Sequence, residues 1–431
     1  MTAGVAPTIA MKLRLPELAR PAWLFLASVV IGGVSFSIFQ LYFNLYVLSV
    51  GADKQQLGLL ASIPSGVTLV LGLPLGMLAD QMGRRAALIW GNVGAAAATL
   101  ILVATGSPFI MAAGAILLGL SQTIALLSVA PFIMQVSNEK TRTLMFSAQF
   151  GLSTLSGFAG SLLAGYMPGW FAAGFGVGVE SAEAYRATIA VSAALVFLSN
   201  VPLGFIRAEP GGGSGRVSQA AVGLSRLWAQ ITRPLVIKLM APNLFIGFGA
   251  AILIPYMNVF FKEKFGLSDD WLGILFSVAS VTTGTATLLG PRLANRLGKV
   301  RAVVATQMAS LVFMAFIGFW PGALGAAMAF LFRGALMNMA GPLFQAFSME
   351  QVADSERATV NSVLTLTWNV GWTFGPALSG WVQQHYGFTP LFAATITLYG
   401  IAIVITYWFF RDMEGRPGKM PVGKSAPQSL G

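Results

Sequence analysis

The chain has no cysteine, one histidine and few charged residues, and each scarcity excludes a class of site. Without cysteine there are no disulfides and no thiolate metal sites. One histidine, with no acid pair inside an apolar segment, leaves neither a hydrolytic triad nor a metal cluster, so we expect no enzyme activity and no cofactor. Phosphate loops of the GxxxxGK(S/T) type are also absent, which argues against ATP as an energy source.

The chain is correspondingly rich in apolar residues. Hydrophobic residues make up 56% of the chain, charged residues 10%, and the mean hydropathy is +0.74, whereas a soluble domain carries about a quarter charged residues. The apolar runs are long and continuous, which favours helices over a membrane barrel. With spans of ~20 residues, the 431 residues accommodate about twelve helices. The sequence therefore predicts an all-α membrane protein with twelve transmembrane helices, at roughly 22–49, 56–79, 86–105, 108–136, 143–167, 187–206, 236–261, 270–293, 300–320, 322–349, 358–383 and 388–410.

Basic residues are distributed unevenly between the connections. Most of the 26 Lys and Arg precede the first span or lie in loops on the same side of the membrane, while Lys54, Arg186, Lys262 and Lys264 lie on the other. Because basic residues collect in cytoplasmic loops, both termini are predicted to be cytoplasmic in a multi-pass protein of the cytoplasmic (inner) membrane. The net charge of +11 is thus explained by topology, and we expect no nucleic-acid partner.

Several short motifs recur in order half a chain apart. GSLLAGY from Gly160 returns as GPALSGW from Gly375, and the tripeptide YFN ending at Asn44 returns as YMN ending at Asn258. An even number of spans preserves orientation, so this repeat predicts two six-helix halves related by a pseudo-two-fold axis along the membrane normal. The predicted division is a first half at 1–206, a linker with a helix on the inner membrane face at 207–235, a second half at 236–411 and a cytoplasmic tail at 412–431. A plain solvated linker is the alternative for residues 207–235.

A charged joint, GMLADQMGRR, follows the second predicted span, and a weaker copy, PRLANRLGKV, follows the eighth. The first resembles the loop 2–3 signature of the major facilitator superfamily, Gly-x-x-x-Asp-(Arg/Lys)-x-Gly-Arg-(Arg/Lys). It departs from that pattern at Gln81, where a basic residue is usual, and in the second copy Asn295 replaces the acid. The matching positions are Gly76, Asp80, Gly83, Arg84 and Arg85.

The resemblance covers essentially the whole chain and implies a carrier with alternating access. It also implies that Asp80 bonds across the two halves, near the start of the eleventh helix, and that this bond breaks when the carrier changes state. Cations are available on the same side at Arg84, Arg85 and Arg142, so these residues with Gly76, Asp80 and Gly83 form the predicted conformational gate. The alternative for Arg84 and Arg85 is that they serve only as positive-inside anchors.

Arg333 is the one charged residue predicted in the middle of a span. A cation there costs at least ~2.5 kcal/mol on insertion scales, so its side chain is expected to face a central cavity and to have a partner. It either contacts substrate or coupling ion, or is a structural residue bonded within its own half.

Five further residues are candidates for the substrate cavity. Asn44 and Asn258 occupy matching positions in the first and seventh spans, with Gln40 nearby, and their amides either contact substrate or fasten two helices together. Trp368 and Trp372 lie one helical turn apart in the eleventh span, where they line the cavity or pack against core or lipid.

These observations predict a secondary transporter for a small organic solute, bound between the halves near the midplane. We expect a monomer in the bilayer, with a coupling proton or ion as a further partner to be tested. A drug/proton antiporter of the multidrug-efflux type is one alternative, although the acids all fall in loops or at span ends. A non-transporting sensor or assembly factor with the same fold is another. The substrate, the direction of transport and the coupling ion stay open.

Overall fold

The computed structural model describes residues 18–207, 231–354 and 356–413, in which the chain forms twelve long helices. The predicted all-α fold of the superfamily is confirmed. The helix predicted on the inner membrane face and most of the predicted C-terminal tail lie outside the described residues. The helices are α1 Arg20–Ser49, α2 Lys54–Met82, α3 Arg84–Ala104, α4 Pro108–Val136, α5 Arg142–Phe175, α6 Ala182–Gly204, α7 Pro234–Phe265, α8 Asp269–Leu297, α9 Lys299–Phe319, α10 Ala323–Glu350, α11 Arg357–Tyr386 and α12 Thr389–Phe410.

Local sequence explains where several helices begin, turn and bend. Asp53 caps α2 through a capping box with Gln56, which satisfies two free backbone N–H groups. Gly83 (φ 82°) joins α2 to α3, and its copy Gly298 (φ 87°) joins α8 to α9, so both copies of the charged joint need glycine for this sharp turn. Helix α7 is interrupted by a short 3₁₀ segment, Ile254–Tyr256, because the proline at its centre cannot continue an α-helical ladder.

The packing of the first six helices is repeated in the last six. In the first set α1 packs on α5 and α6, α3 on α4 and α6, and α2 on α4; in the second set α7 packs on α11 and α12, α9 on α10 and α12, and α8 on α10. The two sets meet through α2 against α11 and α5 against α8, which are equivalent pairs. This pattern matches the internal repeat of the sequence.

Ten of the described helices are long and apolar enough to cross a membrane by length and composition. The other two, α5 and α11, are just as long but less apolar, and both lie at the contact between the two sets. Both contain many glycine, serine and threonine residues, which lower the hydropathy and let the helix backbones approach closely. We call the face with the α2–α3 turn the basic face and the opposite one the outer face.

Candidate functional site

A cavity of about 620 Å³ lies among the helices of the second half. Its walls come from α7 to α12, and of the first six helices α5 alone contributes, through Phe150. The volume is typical of a site for one small molecule. The second half thus supplies nearly all of the lining of this cavity, and the expected substrate site between the halves stays a prediction.

Arg333 lines this cavity from the middle of α10, about 15 Å along the axis from the outer end of that helix. Its side chain is buried, with 5% of the residue exposed. The guanidinium donates a hydrogen bond from Nη2 to the Tyr399 hydroxyl (2.9 Å) and lies 5.7 Å from the centroid of that ring. No ion pair to Arg333 occurs among the described residues, and its Nε has no acceptor there. The expected partner is thus a neutral phenol, which leaves the positive charge uncompensated.

The two tryptophans of α11 also line the cavity. Trp368 and Trp372 are stacked, with ring centroids 6.3 Å apart and planes at 29°, because residues four apart lie on one face of a helix. The Trp372 Nε1–H is buried and has no acceptor among the described residues. The small residues of the same helix serve packing, since a Cβ at Gly371 would come within 3 Å of the α7 backbone.

The predicted amides lie apart from this cavity and bond to each other. Asn44 of α1 donates to the Asn258 Oδ1 (3.0 Å) and to the Pro255 carbonyl (2.6 Å), and Asn258 donates to the Leu41 carbonyl (2.7 Å). The acceptor at Pro255 is available because α7 is broken there. Gln40 is exposed and does not line the cavity. Of the two roles considered for the amide pair, the structure shows helix fastening between the halves.

Close backbone contacts extend this junction across the outer half of the molecule. A Cβ at Gly58 of α2 would lie within 3 Å of the Gly380 backbone in α11, and Gly165 of α5 and Gly273 of α8 approach each other as closely. Ser62 accepts a hydrogen bond from the backbone N–H of Ala377 in α11 (2.9 Å). These contacts, with the amide pair, form the outer seal.

A polar cluster near the outer ends of α6, α7 and α8 completes the seal, and we call it the outer cluster. Lys262 donates to Asp269 (2.5 Å) and to the hydroxyl of Tyr185 (2.6 Å), and pairs with Glu180 (3.0 Å). Tyr185 also bonds Asp269 (3.3 Å), and its ring lies 5.4 Å from that of Tyr42. Since Tyr185 and Glu180 belong to the first half, the cluster bridges the two halves.

This cluster is not predicted from the sequence. Asp269 lies at the end of a span in the chain, as every acid is predicted to lie in a loop or at a span end, yet the folded residue is only 4% exposed. The burial arises because α5 of the first half packs against the start of α8 and Tyr185 of α6 reaches the carboxylate, and no local sequence pattern predicts these contacts. The available signal was an acid and a lysine on either side of the outer turn between the seventh and eighth spans.

On the basic face, Asp80 forms an ion pair with Arg84 of its own half. The second carboxylate oxygen of Asp80 is buried and has no partner among the described residues, so no bond from Asp80 to α11 is present in this state. Arg85 donates to the carbonyls of Leu203 and Gly204 at the end of α6, which fastens α3 within the first half. Gly76 is buried, and the Nε of Arg142 is buried without a partner in the described chain. The predicted gate across the halves thus stays a prediction for another state.

Comparison with known sequences agrees with these features. The sequence model of the Major Facilitator Superfamily matches residues 24–352 and 239–430. Multidrug resistance protein MdtG of Dickeya zeae (strain Ech586) is 26% identical over 179 residues, which are 39% of this chain and 42% of that protein. Sugar efflux transporter A of Escherichia coli (strain K12) is 21% identical over 163 residues, covering 37% of this chain and 42% of that protein. The match thus spans less than half the length of these curated relatives.

Solved structures match over nearly the whole chain. The nucleoside transporter NupG has a TM-score of 0.74 at 14% identity, covering 92% of this chain and 100% of that one. A bacterial homologue of the human lysosomal transporter Spinster, in an inward-facing and occupied conformation, has a TM-score of 0.73 at 16% identity, covering 92% and 98%. At these identities the likeness concerns the fold. With the family match across both halves, the repeated helix packing and the charged joints, it follows that the chain belongs to the Major Facilitator Superfamily.

Proposed function

We propose that this protein is a secondary transporter that moves a small organic solute across the cytoplasmic membrane by alternating access. The observation that carries the proposal is a cavity of about 620 Å³ with a buried arginine that no acid of the described residues pairs with, beneath an outer face where bonds join the two halves. A static scaffold needs neither a charged cavity nor a junction of small residues and separable polar bonds. The relatives named as efflux proteins and the NupG fold support the same class of function.

The positive-inside distribution of Lys and Arg makes the basic face cytoplasmic, with both termini on that side. In this orientation the structure is closed to the outside, and the Asp80 contact across the halves belongs to the opposite state. The two halves, 1–206 and 236–411, would then rock about the outer seal as units, with 207–235 as the linker and 412–431 as the tail. We further propose that the carrier acts as a monomer in the bilayer and performs no enzymatic reaction.

A second candidate is multidrug efflux, favoured by the curated relatives named Multidrug resistance protein MdtG. Such pumps in this superfamily commonly exchange drug for proton, and a carboxylate in the cavity would be the usual proton carrier. The described lining of this cavity contains none. The solute gradient or an ion other than the proton is therefore the first driving force to test.

The test is flux into proteoliposomes, after a thermal-shift screen of metabolites, antibiotics and organic acids has identified a ligand. Flux is measured under a solute gradient alone, with a pH gradient, and with a sodium gradient, against liposomes without protein. We expect flux under at least one condition. A protein that binds ligand but moves none of it under any gradient would instead be a sensor with the transporter fold.

A reversible cross-link across the outer face tests whether flux requires the two halves to separate there. Lys54 and Glu263 form an ion pair across the outer face (2.7 Å) and both are accessible there. Since the chain has no cysteine, Lys54→Cys with Glu263→Cys creates the only two thiols. A short reducible bifunctional thiol reagent should stop flux, and reduction should restore it. Undiminished flux after complete cross-linking would refute alternating access through this junction.

A further inference from the structure

The charge of the cavity narrows the class of solute. Of the described residues that line it, Arg333 alone is charged, and it is 5% exposed with no acid paired to it. Charges interact strongly in such a site because little water screens them. A bound cation would add to an uncompensated positive charge, and a dianion would leave a negative one. A solute with a single negative charge neutralises the site.

The unused hydrogen-bonding groups indicate where that charge sits. Among the residues that line the cavity, two buried donors lack acceptors in the described structure, the Arg333 Nε–H and the Trp372 Nε1–H. One buried acceptor of the lining, the Gln307 Oε1, lacks a donor there. All three residues line the cavity. A buried polar group without a partner is costly, so a ligand that accepts from the first two and donates to the third satisfies groups that the protein leaves open.

The walls indicate the shape of the remainder of the ligand. The stacked pair Trp368 and Trp372 presents flat aromatic surface, and Phe150 and Phe344 lie at the edge of the same cavity. Planar ring systems gain both apolar burial and stacking against such surfaces. The volume of about 620 Å³ is sufficient for one ligand of two or three fused rings with a short side chain.

We propose that the solute is a planar aromatic monoanion, with its carboxylate held by Arg333 and Trp372, its ring on the tryptophan pair, and an N–H or O–H group donating to Gln307. This inference rests on the transporter function proposed above. It assigns different roles to the halves, because Leu118, which precedes Arg333 by the same 215 positions that separate Gly160 from Gly375, is a core residue of the first half.

The first test uses the unmodified protein and three ligands with the same ring. Indole-3-acetate is an anion, indole-3-acetamide is neutral and tryptamine is a cation, and their affinities are measured by isothermal titration in detergent. We expect the acid to bind about 10- to 100-fold more tightly than the amide, as for a hydrogen bond to a charged group, and tryptamine to bind most weakly. An amide or amine that binds as tightly as the acid would overturn the proposal, and so would the absence of acid binding at millimolar concentration.

Variants then assign the contacts. Arg333→Gln should remove the preference for acid over amide, whereas Arg292→Gln makes the same charge change at an exposed position outside the cavity and should keep it. Arg333→Lys keeps the charge and tests folding independently, by its melting transition and elution volume. Naphthalene-1-acetate lacks the indole N–H, so it should bind more weakly than indole-3-acetate to the unmodified protein but equally to Gln307→Leu. An unchanged preference in a folded Arg333→Gln protein would refute the assignment.

The outcomes separate this inference from the transport function. If a neutral or cationic solute is transported and its flux is unchanged in Arg333→Gln, the anion assignment is refuted while the transport function is supported. Tight binding of the acid without flux under any gradient would support the anion assignment and refute the transport function.

Discussion

The hydroxyl of Tyr185 offers the sharpest test of the outer seal. In the outer cluster Lys262 and Asp269 both belong to the second half, so their ion pair persists whether the outer face is open or closed. The Tyr185 hydroxyl belongs to the first half and accepts from Lys262 at 2.6 Å. Tyr185→Phe therefore removes a bond that exists only when the halves meet, and it keeps the buried ring that packs on Tyr42.

The size of the effect follows from this geometry. A hydrogen bond to a charged group contributes a net 1.5–3 kcal/mol, roughly, and the second bond of the hydroxyl, to Asp269 at 3.3 Å, is too long to add much. A loss of about 2 kcal/mol from the closed state alone lowers the ratio of outer-closed to outer-open molecules roughly 30-fold. That shift is large enough to convert a rare conformation into a populated one.

Spin-label distances across each face report this ratio directly. The cysteine-free chain accepts one pair on exposed outer loops, Gly106→Cys with Pro321→Cys, and another on the basic face, Glu139→Cys with Ala353→Cys. In Tyr185→Phe the outer distances should lengthen and the basic-face distances should shorten in the same fraction of molecules.

The control is Tyr166→Phe, which deletes the same hydroxyl from an exposed side chain of α5. Its distance distributions should match those of the parent protein. If Tyr185→Phe also leaves both distributions unchanged while the protein stays folded, the outer cluster does not hold the halves together.

Three further substitutions test other parts of the same description. Gly58→Val should lengthen the outer distances because a side chain there collides with the backbone of α11, whereas Gly72→Val on the same helix meets open space; equal behaviour of the two would contradict this. Asp80→Asn, made in the Tyr185→Phe protein so that both states are populated, should lengthen the basic-face distances, since the carboxylate that pairs here with Arg84 is the expected contact across the halves in the other state; unchanged distances would count against a gate. Tyr42→Phe deletes a buried hydroxyl that has no partner in the described structure. The free energy of unfolding should stay the same or increase by up to about 1 kcal/mol, so the melting temperature should hold or rise. A clear fall in the melting temperature would show that the hydroxyl is bonded.

The sequence predicted those features that follow from local composition or from repetition. Twelve spans, the two charged joints and their glycines at Gly83 and Gly298 are of this kind, because hydropathy and turn chemistry act over short stretches. Boundaries were less accurate. The fifth helix is predicted to end near residue 167 but continues to Phe175, since aromatic residues after Pro168 extend its apolar surface.

The site depended on contacts that local pattern does not encode. Trp368 and Trp372 were compatible with lipid, core or cavity, and only the packing of α11 between α7 and the opposite half places them in the cavity. Asn44 and Asn258 were compatible with two roles until the broken turn of α7 supplied a carbonyl acceptor. Asp269 looked like a solvated loop residue because its cover comes from the other half of the chain.

The asymmetry between the halves indicates how the proposed cycle works. If both halves lined the cavity equally, each rocking movement would separate the ligand from the residues of one half. Here the arginine, the tryptophan pair and Gln307 all move with the second half, and the first half supplies only Phe150 at one edge. If the protein transports by alternating access as proposed, the first half acts as the moving cover: its outer bonds at Asn44 and Tyr185 close one route, and the predicted gate at Asp80 closes the other. The ligand can then stay bound to one rigid body while access changes around it.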